Sequence, residues 1–278
     1  MRTITKEDIF AFERSLRLDE KAQATVGKYV KTVWNLMEFL GGEPLTKEGV
    51  LSYRDHLRAS HKAQTVNGAL SAINAFLNFL DLREYRVKLL KIQRRAFLDE
   101  RRELTEAEYK RLLAAAKSRG SKRLYLLMLT LCGTGIRISE LSFITVEAAR
   151  NGRAEISMKG KQRTIILQKE LRRKLLAYAK EQSIDSGYIF RTRTGRPLDR
   201  SNICHDMKTL CSTAKVDPRK VFPHNLRHLF ARSFYAVEKN LAHLADVLGH
   251  SRIETTRIYV AVSASTHEKI LKQMHLIL

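Results

Sequence analysis

Apolar residues three and four apart run through the first third of this chain, and that spacing commits it to amphipathic helices packed against one another. The clearest stripe is Val66, Leu70, Ile73, Leu77 and Leu80; another is Val26, Val30, Val33, Met37 and Leu40, stopped by Gly41-Gly42. Ahead of them, Thr5 and Asp8 read as a capping-box variant, with Ile4 and Ile9 spaced for a hydrophobic staple on a helix running to about Leu16. A further helix is expected from Thr46 to about Ala59, so residues 1–82 read as a small helical bundle.

From Arg83 to Arg102 the text turns basic and loses periodicity, as in RVKLLKIQRR, which reads as a linker over 83–102 or a solvated helix. A second domain, 103–278, opens with Thr105 and Glu108 as a capping box and Leu104 placed to staple onto Tyr109. Leu124 to Cys132 is nearly all apolar and predicts a buried helix ending at Gly133-Thr134-Gly135. Asn151-Gly152 falls between β-permissive runs, and AEISM followed by RTIIL predicts two antiparallel strands joined by Lys159-Gly160-Lys161-Gln162. The rest reads as helices, interrupted at Tyr188 and at the turn Thr194-Gly195-Arg196-Pro197. The expected fold class is mainly α with a small antiparallel β-sheet in the second domain.

The balance of charge narrows the partner. Against 29 Asp plus Glu stand 51 Lys plus Arg, a formal net charge of +22 spread along the whole chain, which points to a polyanion. Excess cations serve solubility less well than acidic residues do, so nucleic acid is the leading reading and a membrane surface the other. No apolar run reaches the roughly 20 residues of a membrane span, and MRTITKEDIF has no signal-peptide core. Cys132, Cys204 and Cys211 lack metal-ligand spacing and read as reduced thiols, so a cytoplasmic location is expected.

Several residues of the second domain could carry chemistry, and each alone has an ordinary explanation. Arg137 in GTGIRISEL could be a surface ion pair, although its glycines permit close backbone approach to a ligand. Lys159 sits in a turn, where lysines are normally solvated. His224 and Arg227, three apart at the start of a helix, could converge on one anion or be a capping histidine and a surface arginine. His250 after Leu248-Gly249 could close a helix, and Tyr259 could belong to the core.

Together these six residues resemble the pattern of the tyrosine recombinase, or phage integrase, family: Arg, Lys, His-x-x-Arg, His or Trp, then Tyr. GTGIRISEL looks like the family's first arginine box, and PHNLRHLFA with LGHSRIETTRIY looks like its second. The nine residues from His250 to Tyr259 match the family's usual separation. The first domain, with Thr25, Tyr29, Thr65 and Asn67, looks like the family's core-binding domain. Leu229, where Ser or Thr is common, and the run VAVS after Tyr259 depart from the pattern without touching the six. The chain begins almost at once with the core-binding segment, which resembles the simpler Xer-like enzymes rather than integrases with an added arm-binding domain.

The resemblance implies site-specific recombination of double-stranded DNA through a 3′-phosphotyrosyl intermediate and a Holliday junction, by a homotetramer or paired recombinase on two sites. Tyr259 would be the nucleophile; a tyrosine hydroxyl, with a reference pKa near 10, needs help to attack a phosphodiester. Arg137 and Arg227 would hold the non-bridging oxygens with planar donor forks, which an ammonium cannot supply. His224 would be the acid-base residue, His250 a further phosphate donor, and Lys159 the proton source for the 5′ leaving oxygen, with Lys161 its neighbouring rival. No ATP and no metal is implied, since the phosphotyrosyl bond conserves the energy and the sequence shows no two-metal carboxylate cluster. Lys21, Lys28, Lys62, Gln64 and Lys161 are candidate DNA contacts. The tail spaces Ile270, Leu271, Met274, Ile277 and Leu278 for one helix face, suited to docking on a neighbouring protomer. The same constellation would serve a type IB topoisomerase, and a non-catalytic DNA-binding protein is the remaining alternative.

Overall fold

The first helix of the computed structural model, α1 (Lys6–Leu18), starts at Thr5, whose hydroxyl accepts from Asp8 N while the Asp8 carboxylate accepts from Thr5 N. Such reciprocal capping contributes about 1 kcal/mol. Ile4 and Ile9 are both buried beside it, as a staple requires. Three helices follow: α2 (Gln23–Leu40), α3 (Lys47–Ser60) and α4 (Ala63–Phe79). The structure describes residues 2–92, 100–158, 161–260 and 272.

The chain divides into two compact units, Met1–Arg94 and Arg95–Leu278. In the first, the stripe from α4 lies inside: Val66, Leu70, Ile73 and Leu77 are fully buried with Phe12, Val33 and Leu36. Burying each such Leu or Ile contributes roughly 1.5–3 kcal/mol. Two asparagines of α4, two turns apart, then capture the departing chain. Asn67 holds Leu90 through its N–H and C=O at 2.7 and 2.9 Å, and Asn74 holds Val87 at 3.0 and 2.9 Å. Residues 83–90 of the expected linker are thus fastened to the first unit. Residues 93–99, the middle of that linker, lie outside the described residues.

The second unit begins with a second capping box, Thr105 with Glu108, at the head of α5 (Glu106–Ser118). Helix α6 (Lys122–Thr134) is its centre, with Leu124, Leu126, Leu127, Met128 and Leu131 buried around its circumference. A 3-10 turn, Ile138–Phe143, and helix α7 (Val146–Asn151) lead to a hairpin of β1 (Arg153–Met158) and β2 (Lys161–Ile166). Asn151 is the last residue of α7 and Gly152 its left-handed cap, so this dipeptide ends a helix ahead of the first strand. The hairpin is also tighter than its sequence suggested. Met158 pairs with Lys161 and Ser157 with Gln162, so both residues assigned to the turn's second half extend the ladder. Ala154, Ile156 and Ile165 face the core from this sheet.

Helix α8 (Lys169–Glu181), α9 (Arg200–Lys208) and α10 (Cys211–Ala214) complete the surround. Helix α11 (Pro223–Glu238) lies against α6, and α12 (Leu241–Leu248) and α13 (Ile253–Val260) pack on α11. Ala231, Leu244, Leu248 and Tyr259 form a separate small core among these last three helices. No described helix is long and apolar enough to cross a membrane.

Candidate active site

The site is assembled where α6, α11 and α12 end or begin, and backbone geometry fixes it first. Helix α6 stops at Gly135, whose φ of +65° is left-handed and whose Cβ, if present, would stand 2.3 Å from the Phe230 ring. Only glycine satisfies both demands. Its carbonyl accepts from Arg227 Nη1 at 2.5 Å. Two residues on, Arg137 heads the 3-10 turn: Glu140 accepts from its backbone N–H at 2.7 Å and from its Nη1 at 2.9 Å. Arg137 Nη2 also reaches Gly249 O at 3.4 Å.

Glu140 is the buried anion of the site. Its other partner is Arg163 on β2, whose Nη2 donates to it at 2.5 Å while Nη1 donates to Val247 O at 2.7 Å. Burial alone would push the Glu140 carboxyl up, but the Arg137 backbone N–H and the two arginines outweigh it and hold the group below the ordinary carboxylate range. One ionised carboxylate therefore orients two guanidinium groups. Gly249, at φ +63°, lets Arg163 pass: a Cβ there would meet Arg163 Cδ at 2.7 Å.

Pro223 opens α11, its fixed φ suited to the first helical position, and places His224, Arg227 and His228 in the next turns. Arg227 is 1% exposed. Its Nη1 holds Gly135 O, its Nη2 holds Leu248 O at 2.8 Å and lies 2.9 Å from His250 Nε2, and its Nε has no partner. Burial, with Arg137 nearby, pushes the guanidinium down to about 10, and it stays charged at neutral pH. A buried cation with an unfilled donor is costly unless an anion arrives to fill it.

His250 follows the left-handed cap of α12. A guanidinium has donors only, so His250 Nε2 accepts from Arg227, and Nδ1 carries the proton that goes to Thr256 Oγ1 at 2.9 Å. Burial, then Arg227 and Arg137, depress its pKa to about 4; burial, His228 and the arginines do the same to His224. Both are neutral at pH 7. Tyr259, on α13, is 5% exposed. Its ring stacks on His250 (5.7 Å between centroids, 13°) and meets His228 edge to face (4.7 Å, 89°), with His224 at 6.2 Å.

Arg137, His224, Arg227, His250 and Tyr259 are thus brought to one place. Two cavities flank Arg137, one of about 420 Å³ that includes His224 and Arg227, the other of about 690 Å³ that includes Arg163 and His250. Lys159 lies outside the described residues. Lys161 begins β2. In the first unit Lys21, Lys28, Lys62 and Gln64 are exposed, Lys62 and Gln64 at the head of α4 and Lys28 with its amine over Gly68. Sequence reasoning missed Glu140, Arg163, Thr256 and His228. Glu140 alone carried a local signal, its spacing of three from Arg137. Among the described residues no group of His, Cys, Asp and Glu gathers to hold a metal ion.

The family model described as the phage integrase family matches residues 102–266. A tyrosine recombinase XerA of Thermococcus kodakarensis is 30% identical over 281 residues, spanning 98% of this chain and 96% of that protein. Two solved structures share the fold. A XerH site-specific recombinase bound to its difH substrate in a pre-cleavage complex aligns with a TM-score of 0.72 at 16% identity, over 97% of this chain and 85% of that one. A lambda integrase in a tetramer bound to a Holliday junction aligns at 0.74 and 18% identity, over 93% and 78%.

Proposed function

The chain belongs to the phage integrase family, and from that premise we propose that it is a tyrosine site-specific recombinase acting on double-stranded DNA. The observation that carries this reading is Arg227: a buried guanidinium interacting with a tyrosine clasped between imidazole rings. A phosphodiester fits both, because its non-bridging oxygens offset the buried cation and its phosphorus is the electrophile for the phenol.

In this mechanism Arg227 and Arg137 hold the scissile phosphate and offset the charge that grows in the transition state. The Tyr259 oxygen forms a bond to phosphorus as the bond to the 5′ oxygen breaks, leaving a 3′-phosphotyrosyl link. His224, neutral before DNA binds, accepts the phenol proton; Lys159 gives a proton to the departing 5′ oxygen. His250 has its Nε2 committed to Arg227, so it donates to a phosphate oxygen only after that nitrogen gains a proton, which an arriving anion favours. Reversal with a 5′ hydroxyl from the second duplex completes exchange without ATP or metal.

Residues 1–82 serve as the core-binding domain, with Lys21, Lys28, Lys62 and Gln64 on DNA phosphates and bases, and residues 103–278 as the catalytic domain, with Lys161 on the backbone. The working assembly is a homotetramer on two sites in the cytoplasm, the state in which the lambda integrase holds its Holliday junction. The tail beyond Val260 carries an apolar helical stripe in its sequence and, apart from Lys272, lies outside the described residues.

The test is strand exchange. Two differently labelled duplexes carrying the sequence that the protein retains from a random library are mixed with it in EDTA without ATP; recombinant strands are expected. Relaxation of supercoiled plasmid with no sequence preference would assign it to topoisomerase-like chemistry, and binding with no strand breakage to a non-catalytic role.

A further inference from the structure

Tyr259 is held between two imidazoles, and the proposed mechanism accounts for one of them. His250 stacks on its ring, fixed through Nδ1 by Thr256. His228 meets the same ring at 4.7 Å and 89°, and its Nδ1 lies 3.2 Å from Glu103 Oε1. His250 and His228 are therefore each oriented through Nδ1 by a second residue.

Glu103 is itself anchored. It accepts from Arg232 as well as His228, and its neighbours are fastened to the same helix: Asn225 Nδ2 donates to Arg102 O at 2.8 Å and Arg232 Nη2 to Leu104 O at 2.6 Å. Asn225, His228 and Arg232, three and four apart, thus form one stripe of α11 stitched to the chain at 102–104. Burial pushes the Glu103 carboxyl up, but His228 and Arg232 outweigh it, so the group is ionised at neutral pH and accepts the Nδ1 proton. That bond leaves the His228 ring one orientation, across the tyrosine.

We propose that His228, oriented by Glu103, is a positioning residue for the Tyr259 nucleophile, holding the phenol ring against rotation so that its oxygen faces the phosphate bound by Arg227. This rests on the recombinase reading. In near-attack geometry a displacement of about 1 Å costs on the order of a hundredfold in rate, which sets the scale of the expected effect.

The experiment measures covalent adduct formation in a single turnover on a nicked duplex bearing the selected sequence, with DNA affinity and thermal midpoint measured alongside. His228→Ala and Glu103→Ala are each expected to slow the adduct roughly tenfold to a hundredfold at unchanged affinity. His228→Phe, which keeps a flat ring but loses the bond to Glu103, is expected to recover part of that loss. The double variant is expected to be no slower than His228→Ala, because both act through one contact. Wild-type rates for His228→Ala, or a loss that His228→Phe fails to recover, would overturn the inference; this pair decides even where Glu103→Ala does not fold. No adduct from the wild-type protein overturns the recombinase reading and the inference with it, an outcome separate from adducts formed equally by wild type and variants.

Discussion

Arg227 Nη2 lies 2.9 Å from His250 Nε2, and the same guanidinium holds the carbonyls of Gly135 and Leu248. One side chain therefore ties the ends of α6 and α12 to α11 and keeps Nε in reserve. Structure and chemistry depend on the same planar group, so its substitution is expected to affect both.

Arg227→Lys keeps a charge but loses the fork. It is expected to slow strand cleavage by about 10²–10³-fold, the scale of losing one transition-state donor. A carbonyl left without its donor costs roughly 1–3 kcal/mol, so urea unfolding should detect the same change. Cleavage and stability both at wild-type levels would contradict this account of the site.

Gly135→Ala forces a Cβ toward Phe230 in a left-handed backbone. A loss of about 1–3 kcal/mol is expected from overpacking alone, read as a lower thermal midpoint, with slower cleavage because the carbonyl bound to Arg227 moves.

Glu140→Gln removes the charge between Arg137 and Arg163. Breaking a buried ionic network from one side costs roughly 3 kcal/mol, and the phosphate-binding fork of Arg137 loses its orientation. Lower stability and weaker binding of the cleavage-site phosphate are expected together, measured by denaturation and by competition with inorganic phosphate.

The histidines predict a pH dependence. His224 and His250 titrate near 4 in the folded protein against 6.5 ordinarily, so between these values the unfolded chain binds more protons. Stability is thus fully present above pH 6.5 and falls as the pH drops toward 4. The urea midpoint of the DNA-free protein should be lower at pH 5 than at pH 7, and the double variant His224→Gln/His250→Gln should show a smaller difference. Bound DNA favours the protonated His250, so affinity should rise over the same descent.

Much of this was legible in the sequence because it is local. The stripe from Val66 to Leu77 and the caps at Thr5 and Thr105 need only neighbours within a turn or two, and the structure forms them where the pattern lies. The turn link was misjudged because Lys161 and Gln162 carry no strand signal of their own; pairing with Met158 and Ser157 makes them strand. The supporting residues were illegible for a different reason. Glu103 lies 125 positions from His228, and Arg163 lies 84 from Val247, so each reads as an ordinary solvated charge until the fold closes the distance. Arg227 was legible as a phosphate ligand, but its place among the most deeply buried side chains was not.

The most direct measurement is the identity of the residue joined to DNA. The protein is trapped on a nicked duplex, digested, and the peptide carrying a 3′-phosphonucleotide is sequenced by mass spectrometry, with Tyr259→Phe in parallel. A single adduct on Tyr259, absent from a variant that still binds the duplex, is the predicted result. An adduct on another residue, or one that persists in Tyr259→Phe, would contradict the account.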